Sequence, residues 1–168
     1  FVFAKWGEIE TVDHVRKLKY TQRVEGNLSK IHPPKIEKYT GKPYTKVRWM
    51  PDYEKFGLET MTSDIWSLLR KRAFDVAAVT DKSLKVKIQG NDIDIKTFEQ
   101  YADMYIGDKT ESPRIVQSSD RWECVVGLSP LDEFSQVSFV NGIYTGKGGK
   151  HVDYITNQIC KKMIEYIK

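Results

Sequence analysis

The chain has 168 residues, of which 40% are hydrophobic and 30% are charged, and its formal net charge at pH 7 is +4. This length and composition suit one packed domain, or one domain and part of a second, and exclude an intrinsically disordered chain. No apolar run approaches the ~20 residues that span a bilayer, and no signal-peptide pattern opens the chain, so a membrane-spanning segment is not expected.

The first third of the sequence predicts β-structure. Residues 1–10 and 16–25 alternate polar and apolar side chains, which predicts two antiparallel strands. Residues 26–44 contain three prolines and are predicted to form an irregular connector, because proline has no N–H and disfavours helix before it. Residues 45–52 alternate again and predict a strand that ends at Pro51. The pattern then changes, which predicts a domain boundary near residues 56–60.

Positive charge is concentrated in this first part of the chain. Ten lysine and arginine residues and two glutamates lie between His14 and Arg48, a surplus of +8, so the rest of the chain sums to −4. Clustered cations attract a polyanion such as a nucleic acid. A solvated basic face is the alternative, and composition leaves both open.

The remaining two thirds alternate between helical and strand-like patterns and predict an α+β fold. Apolar residues recur at helical spacing over 64–79 and over 151–167, and 96–106 predicts a shorter helix. Between the helices, the sequence predicts a hairpin over 84–95 with a Gly90-Asn91 turn, a loop at 108–113, two strands around 118–120 and a single strand over 134–143.

Residues 138–155 contain four glycines and two lysines at the entrance to the last helix. The spacing of Gly142, Gly146 and Lys147 resembles a Walker A motif, but it is one residue short and the following serine or threonine is missing. We expect the glycines to supply positive-φ backbone for a tight strand-to-helix reversal. A general anion site at the helix N-terminus is the alternative.

Other candidate reactive residues favour structural roles. The three histidines are too dispersed for a metal site, and no catalytic residue is assigned. His151 is interpreted as a helix-entry residue that bonds the loop backbone, without a nucleophilic serine beside it. Cys124 is interpreted as a small buried hydrophobe. Two cysteines, Cys124 and Cys160, in unrelated contexts favour a reducing, intracellular location.

The segment "SFVNGIYTGKGGKHVDYITNQI" closely resembles the block S-F-V-N-S-I-A-T-x-x-G-G-x-H-V-x-Y of eukaryotic-type DNA topoisomerase II. It departs from that block at Gly142 and Tyr144. Residues 34–40, 49–56, 71–76 and 120–125 resemble further segments of the same family, in the same order. The resemblance assigns transducer-motif positions to Asn141, Thr145, Gly148, Gly149 and His151.

The resemblance implies a domain organisation. Residues 1–56 are similar to the last strands of a GHKL ATPase domain, and residues 57–168 to most of a transducer domain of ribosomal-protein-like fold. In the family, the ATP-binding lid precedes the segment that resembles residues 1–11, and an ATP-contacting lysine follows the closing helix. The chain starts without methionine and is expected to be a piece of a longer polypeptide, inactive alone. ATP and Mg²⁺ are implied for the full-length enzyme, and none is expected to be bound by this piece.

The resemblance also implies a function and partners. Enzymes of the family pass one DNA duplex through a double-strand break, and this piece would couple ATP hydrolysis to gate movement in a homodimer on double-stranded DNA, without a membrane. Its DNA contacts would be Lys161, Lys162 and Lys168, although a frayed cationic helix end also explains these lysines. The nucleus is implied, or a host cell or virion for a viral enzyme. A MutL-like GHKL ATPase fragment and a freestanding basic nucleic-acid-binding module are the alternatives.

Overall fold

A computed structural model describes residues 3–168, and the chain divides into two compact units, Phe1–Ser63 (unit 1) and Asp64–Lys168 (unit 2). Unit 1 is a β-sheet with a short 3-10 helix, and unit 2 combines three helices with three two-stranded hairpins. The α+β class predicted from the sequence is therefore confirmed. The first two residues of the predicted first strand lie outside the described residues.

Unit 1 consists of a five-stranded antiparallel sheet. Its strands are β1 (Ala4–Asp13), β2 (Leu18–Glu25), β3 (Lys30–Ile31), β4 (Lys35–Lys38) and β5 (Thr45–Pro51). The spatial order is β3-β2-β1-β5, and β4 pairs with β2 beside β3. The predicted antiparallel pair of β1 and β2 is confirmed, with Glu8 opposite Arg23, and so is the strand that ends at Pro51. A 3-10 helix, Tyr53–Phe56, follows.

The predicted irregular connector over residues 26–44 is wrong in part. β3 and β4 lie in this segment and both pair with the outer edge of β2, on either side of Pro33 and Pro34. The two prolines interrupt the ladder only between these short strands, and proline is compatible with an edge position because its missing N–H is not needed there. β2 therefore has both edges paired.

One face of the sheet carries a network of cross-strand ion pairs. Glu8 lies between Arg23 and Arg48 in the register, and Glu37 pairs with Lys19. Six of the ten basic residues between His14 and Arg48 form ion pairs with carboxylates: Arg16, Lys19, Arg23, Lys30, Lys35 and Arg48. Four of these pairs use Glu25 and Glu37, which the surplus of +8 already counts, so only Asp13 and Glu8 offset it further and the segment keeps its positive charge. Surface ion pairs of this kind leave both interpretations of the segment open.

Two carboxylates of this network have strongly lowered pKa values. The Arg23 guanidinium, 2.9 Å from Glu25, is the main reason that the pKa of Glu25 is about 2. The Lys19 ammonium, 2.8 Å from Glu37, is the main reason that the pKa of Glu37 is also about 2. Both values lie below the ordinary glutamate pKa of 4.5, so folding favours the charged form of each side chain.

These shifts predict an acid-dependent loss of stability. The contribution of the two ion pairs is fully present above pH 4.5 and is lost as the pH falls towards about 2, because protonation of the glutamates removes the attraction. We expect thermal unfolding of a Glu25→Gln/Glu37→Gln variant to depend less on pH across this window than that of the parent. The exposed Glu59, changed to glutamine, provides the control. Parallel curves for parent and double variant would contradict the prediction.

Unit 2 contains the three helices and three hairpins of the fold. The helices are α1 (Ser63–Val79), which begins at the last residue of unit 1, α2 (Phe98–Ile106) and α3 (Lys150–Ile167). The hairpins are β6–β7 (Lys87–Ile88 and Asn91–Asp92), β8–β9 (Arg114–Ser118 and Glu123–Gly127) and β10–β11 (Phe139–Val140 and Ile143–Tyr144). All three predicted helices are confirmed. Thr97 and Gln100 form a capping box that fixes the start of α2.

Two turn predictions for unit 2 are corrected. The β6–β7 turn lies at Gln89-Gly90, whose φ angles are 50° and 82°, one residue earlier than predicted. The segment 134–143 does not form a single strand, because Asn141 and Gly142 have φ angles of 50° and 76° and reverse the chain. Two-residue hairpin turns with positive φ at both central residues favour Asn-Gly, so the signal for β10–β11 was present in the sequence.

The core of unit 2 packs α1 and α2 against the β6–β7 region. Ala77, Ile93, Ile95 and Tyr101 form its buried centre, and Phe139 of β10 packs against it. Phe139 meets Tyr101 with ring centroids 5.9 Å apart, in an edge-to-face arrangement. The hairpin that precedes the glycine-rich loop is therefore anchored to the helical core.

Candidate functional site

The glycine-rich loop is held by a cluster of three polar side chains, Ser138, Thr145 and His151, called here the hydroxyl–imidazole cluster. The hydroxyl oxygens of Ser138 and Thr145 are 2.6 Å apart. Nε2 of His151 lies 3.1 Å from each of them. The cluster joins the residue before β10, the residue after β11 and the first turn of α3.

Backbone hydrogen bonds complete this connection. The N–H of Thr145 donates to the carbonyl of Ser138 over 2.8 Å, and the N–H of Gly148 donates to the carbonyl of Thr145 over 2.9 Å. The side-chain amide of Gln136 donates to the carbonyl of Gly146 over 3.0 Å. The carbonyl groups of Thr145 and Gly146 thus accept hydrogen bonds from side chains that directly precede β10, which restrains the short loop.

Two glycines make the reversal into α3 possible. Gly148 has a φ of 72°, and Gly149 has a φ of 144° with a ψ of −177°, a region that is essentially restricted to glycine. A Cβ atom on Gly149 would lie 3.2 Å from the His151 ring. The prediction that these glycines supply positive-φ backbone for a tight reversal is confirmed. We call residues 145–149 together with the hydroxyl–imidazole cluster the joint.

The interpretation of His151 is corrected in detail. Its ring contacts two side-chain hydroxyls and does not bond the loop backbone, and Ser138, 13 residues earlier, is one of its partners. Within the described residues, no hydrogen bond to the other ring nitrogen Nδ1 is found. A serine hydrolase needs a residue that orients this nitrogen. The geometry therefore fits a structural clamp, because the third member of a catalytic triad is missing.

A second polar cluster, the Asp75 network, lies beneath the β10–β11 hairpin. Asp75 on α1 is only 1% exposed and accepts hydrogen bonds from Lys71 Nζ at 2.9 Å and from the Tyr101 hydroxyl at 2.6 Å. Tyr105 contacts the Tyr101 hydroxyl at 2.9 Å. Lys71 Nζ also lies 4.4 Å from the centre of the Tyr144 ring on β11. The network thus connects both helices of the core to the hairpin of the joint.

Sequence reasoning noted residues 71–76 as a resemblance but did not identify the Asp75 network. The available signal was a lysine and an aspartate four residues apart on α1, next to the buried Ala77. Burial raises the pKa of Tyr101 above its ordinary value, and its hydrogen bond to Asp75 adds to the shift. The phenol therefore stays protonated and donates to the carboxylate.

The lysines predicted to contact DNA are exposed at the C-terminal end of α3: Lys161 and Lys162 lie in the helix, and Lys168 directly follows it. Lys162 donates to Glu165 over 2.9 Å, whereas Lys161 and Lys168 have no ion pair within the described residues. At 1.5 Å per helical residue, Lys161 lies about 15 Å from His151 along α3. The structure therefore separates these lysines from the joint.

The described part of the chain was also searched for a metal site, a reactive cysteine and a membrane-spanning helix. Residues 3–168 contain no group of three or more histidine, cysteine or acidic side chains placed to hold a metal ion. Cys124 is partly buried, and burial raises the pKa of its thiol, in agreement with an unreactive side chain. Among the described helices, none is long and apolar enough to cross a membrane.

The sequence profile and the individual relatives that match this chain belong to the same family. The sequence profile of DNA gyrase B matches residues 79–168. The chain is 42% identical over 164 residues to DNA topoisomerase 2 of Arabidopsis thaliana, which covers 93% of the chain and 11% of that protein. It is 34% identical over 173 residues to DNA topoisomerase 2-alpha of Homo sapiens, and this alignment covers 99% of the chain and 11% of that protein. The chain thus spans about a tenth of the length of these relatives.

Solved structures give the same result for the fold. The ATPase region of Saccharomyces cerevisiae topoisomerase II superimposes with a TM-score of 0.90 at 36% identity, over 98% of this chain and 43% of that one. The ATPase and transducer domains of DNA topoisomerase II from Balamuthia mandrillaris give a TM-score of 0.87 at 34% identity, over 99% of this chain and 42% of that one.

Proposed function

The chain belongs to the type IIA DNA topoisomerase family, the family of DNA gyrase B and DNA topoisomerase 2, and on this premise we propose that it couples ATP hydrolysis to DNA strand passage. In this proposal residues 1–56 are the last strands of a GHKL ATPase domain and residues 57–168 are most of a transducer domain. The likeness to a solved structure that contains both domains, over 99% of this chain, supports the assignment.

The proposed coupling role rests on the structure of the joint. Gly148 and Gly149 allow the chain to turn directly from β11 into α3, and His151 fastens the first turn of α3 to two hydroxyls of the hairpin. The hairpin is in turn packed on the Asp75 network through Tyr144. Direct contacts therefore connect the helical core to α3, and little unrestrained backbone lies between them. A displacement of the core is passed to α3 along these contacts.

The full-length enzyme would use ATP and Mg²⁺ and act as a homodimer on double-stranded DNA, in the nucleus, or in a host cell or virion if it is a viral enzyme. The charge of α3 supports the DNA partner: Lys161 and Lys168 are exposed and unpaired within the described residues, so they are free to neutralise phosphates. Lys162 was predicted with them, but its ammonium is engaged by Glu165, so this part of the proposal rests on the other two lysines. A MutL-like ATPase and a freestanding basic module are not favoured, because relatives matching 93–99% of the chain are named DNA topoisomerase 2.

Activity assays test this function directly. We expect the full-length protein to relax supercoiled plasmid only with ATP and Mg²⁺, and the 168-residue chain alone to hydrolyse no ATP above a mock purification. The expectation for the chain follows from the resemblance, which places the family's ATP-binding lid before the segment that resembles residues 1–11. Relaxation without ATP by the full-length protein, or ATP turnover by the isolated chain, would contradict the proposal.

A further inference from the structure

The tip of the β8–β9 hairpin contacts α3. Trp122, the residue before β9, packs on Tyr154 of α3 with ring centroids 6.2 Å apart and an angle of 35° between the ring planes. This separation lies in the range in which aromatic side chains attract each other. Tyr154 follows His151 by three residues, so α3 receives a second lateral contact about 4.5 Å further along its axis and about 60° around it. The joint and the hairpin tip thus hold the helix from two directions.

The hairpin tip is closed by hydrogen bonds between Ser119 and Trp122. The N–H of Ser119 donates to the carbonyl of Trp122 over 2.7 Å, and the N–H of Trp122 donates to the Ser119 hydroxyl over 3.2 Å. Both polar backbone groups of Trp122 are therefore engaged, and the backbone that carries the indole is held in place.

The base of the same hairpin is anchored to α2. Arg114, the first residue of β8, has no exposed side-chain surface and pairs with Asp103 of α2. It also donates to the carbonyl of Gly107, the residue that follows α2, over 2.6 Å. Gly127, opposite Arg114 at the end of β9, lies so close to α2 that an added Cβ atom would be 3.2 Å from Cδ1 of Ile106. These contacts make the β8–β9 hairpin follow any movement of α2.

The helical core therefore reaches α3 by two routes. One route leads from the Asp75 network through Tyr144 to the joint. The other leads from α2 along the hairpin to Trp122, and the five residues of β8 extend over about 17 Å. A helix that is fastened at one point is free to pivot there, whereas a second contact at a different height and from a different direction removes this freedom.

We propose that Trp122 is a positioning residue, which sets the direction of α3 and so contributes to the coupling of ATP hydrolysis to strand passage. This proposal rests on the proposed function and adds a second route to it. Residues 160–168 are exposed on every side, so their position depends on the contacts near the start of α3. Trp122 is 42% exposed and Tyr154 is 60% exposed, so the pair is able to separate without opening the core of unit 2.

The test measures ATP hydrolysis and plasmid relaxation by the full-length protein on the same preparations. We expect Trp122→Ala to raise the amount of ATP consumed for each strand passage by about two- to tenfold, the shift in an equilibrium that corresponds to the loss of one aromatic pair. The KM for ATP and the maximal rate of hydrolysis are expected to keep their parental values, because the substitution changes the direction of α3 and not the binding of nucleotide.

Matched variants isolate the contact between the two rings. Tyr154→Ala removes it without altering the hairpin, so we expect the same loss of coupling, and the double variant is expected to lose no more than either single variant. Trp122→Phe keeps a ring against Tyr154 and is expected to restore coupling. Asp120→Ala, at an exposed position in the same tip, is the control and is expected to keep the parental ratio of ATP consumed to strands passed.

The outcomes separate this inference from the proposed function. Parental coupling in Trp122→Ala, or additive losses from Trp122→Ala and Tyr154→Ala, would overturn the positioning role and leave ATP-dependent relaxation in place. A purely structural role predicts that Trp122→Ala lowers the thermal midpoint of unfolding while coupling is unchanged, and this result would overturn the inference as well. A parent that relaxes no plasmid with ATP would refute the proposed function and, with it, this inference.

Discussion

Gly149→Val in the full-length enzyme is expected to uncouple ATP hydrolysis from DNA relaxation, so that more ATP is consumed for each strand passage. The φ of 144° at this position is a region restricted to glycine, and a Cβ atom would press on the His151 ring at 3.2 Å. Holding a non-glycine residue in such a conformation costs about 1–3 kcal/mol. We expect the chain to escape this strain by moving His151 away from Ser138 and Thr145, which opens the joint.

The measurement compares ATP turnover and plasmid relaxation on the same preparations. Gly148→Val, at a φ of 72°, is expected to have the same effect in the same direction. Gly90→Val in the β6–β7 turn is the matched control, because its φ is 82° but no other atom lies within 4 Å of an added Cβ. If both loop variants relax DNA at the parental rate, or if Gly90→Val impairs coupling equally, the coupling role of the joint is excluded.

Asp75→Ala is expected to lower the free energy of unfolding by about 3 kcal/mol, because a buried hydroxyl donor loses its acceptor and charge-assisted hydrogen bonds are lost. The carboxylate is 1% exposed and accepts hydrogen bonds from Lys71, Arg72 and Tyr101. Its removal leaves the Tyr101 hydroxyl without its buried acceptor, while the two basic side chains are partly exposed and turn to water. Urea denaturation monitored by circular dichroism measures the change.

Two further substitutions define the origin of this effect. Tyr101→Phe removes the 2.6 Å hydrogen bond and leaves the carboxylate with its cations, so we expect a smaller loss of about 1–3 kcal/mol. Asp94→Ala, at an exposed position between the buried Ile93 and Ile95, is expected to change stability by no more than about 0.5 kcal/mol. A loss at Asp75 no larger than that at Asp94 would show that the network does not stabilise unit 2.

The elements that depend on local periodicity were predictable from the sequence. α1 and α3 repeat apolar residues at helical spacing, and the 64–79 and 151–167 predictions differ from the structure by one residue at the N-terminus. The Asn141-Gly142 turn was equally visible, but the surrounding apolar residues were interpreted as one strand. The preference of Asn-Gly for a two-residue hairpin turn reverses the chain there, although the β-forming residues continue on both sides.

The features that depend on distant partners were not predictable. β3 and β4 are two and four residues long and form only because the edge of β2 is available to pair with them. The charge surplus of residues 14–48 likewise did not reveal that β-pairing brings carboxylates such as Glu8 across from arginine. Counting charge along a sequence omits neighbours on adjacent strands.

The candidate site was predictable in its backbone and not in its side-chain contacts. The glycine pattern indicated a tight reversal, and the φ angles of Gly148 and Gly149 confirm it. The contact of His151 with Ser138 requires the hairpin between them, and the interpretation without that hairpin assigned backbone partners to the imidazole. The burial of Asp75 was not predictable, because it depends on the packing of α2, which carries Tyr101, against α1.

The length of α3 determines how far a small adjustment at its first turn reaches. Lys168 is 17 residues beyond His151, about 25 Å along the axis. Pivoting the helix by about 10° around the imidazole sweeps its last residue through an arc of about 4–5 Å, close to the 5.4 Å pitch of an α-helix. A sub-ångström change in the contacts of Ser138 and Thr145 is thereby magnified into a shift comparable with the spacing between neighbouring phosphates on a nucleic acid strand.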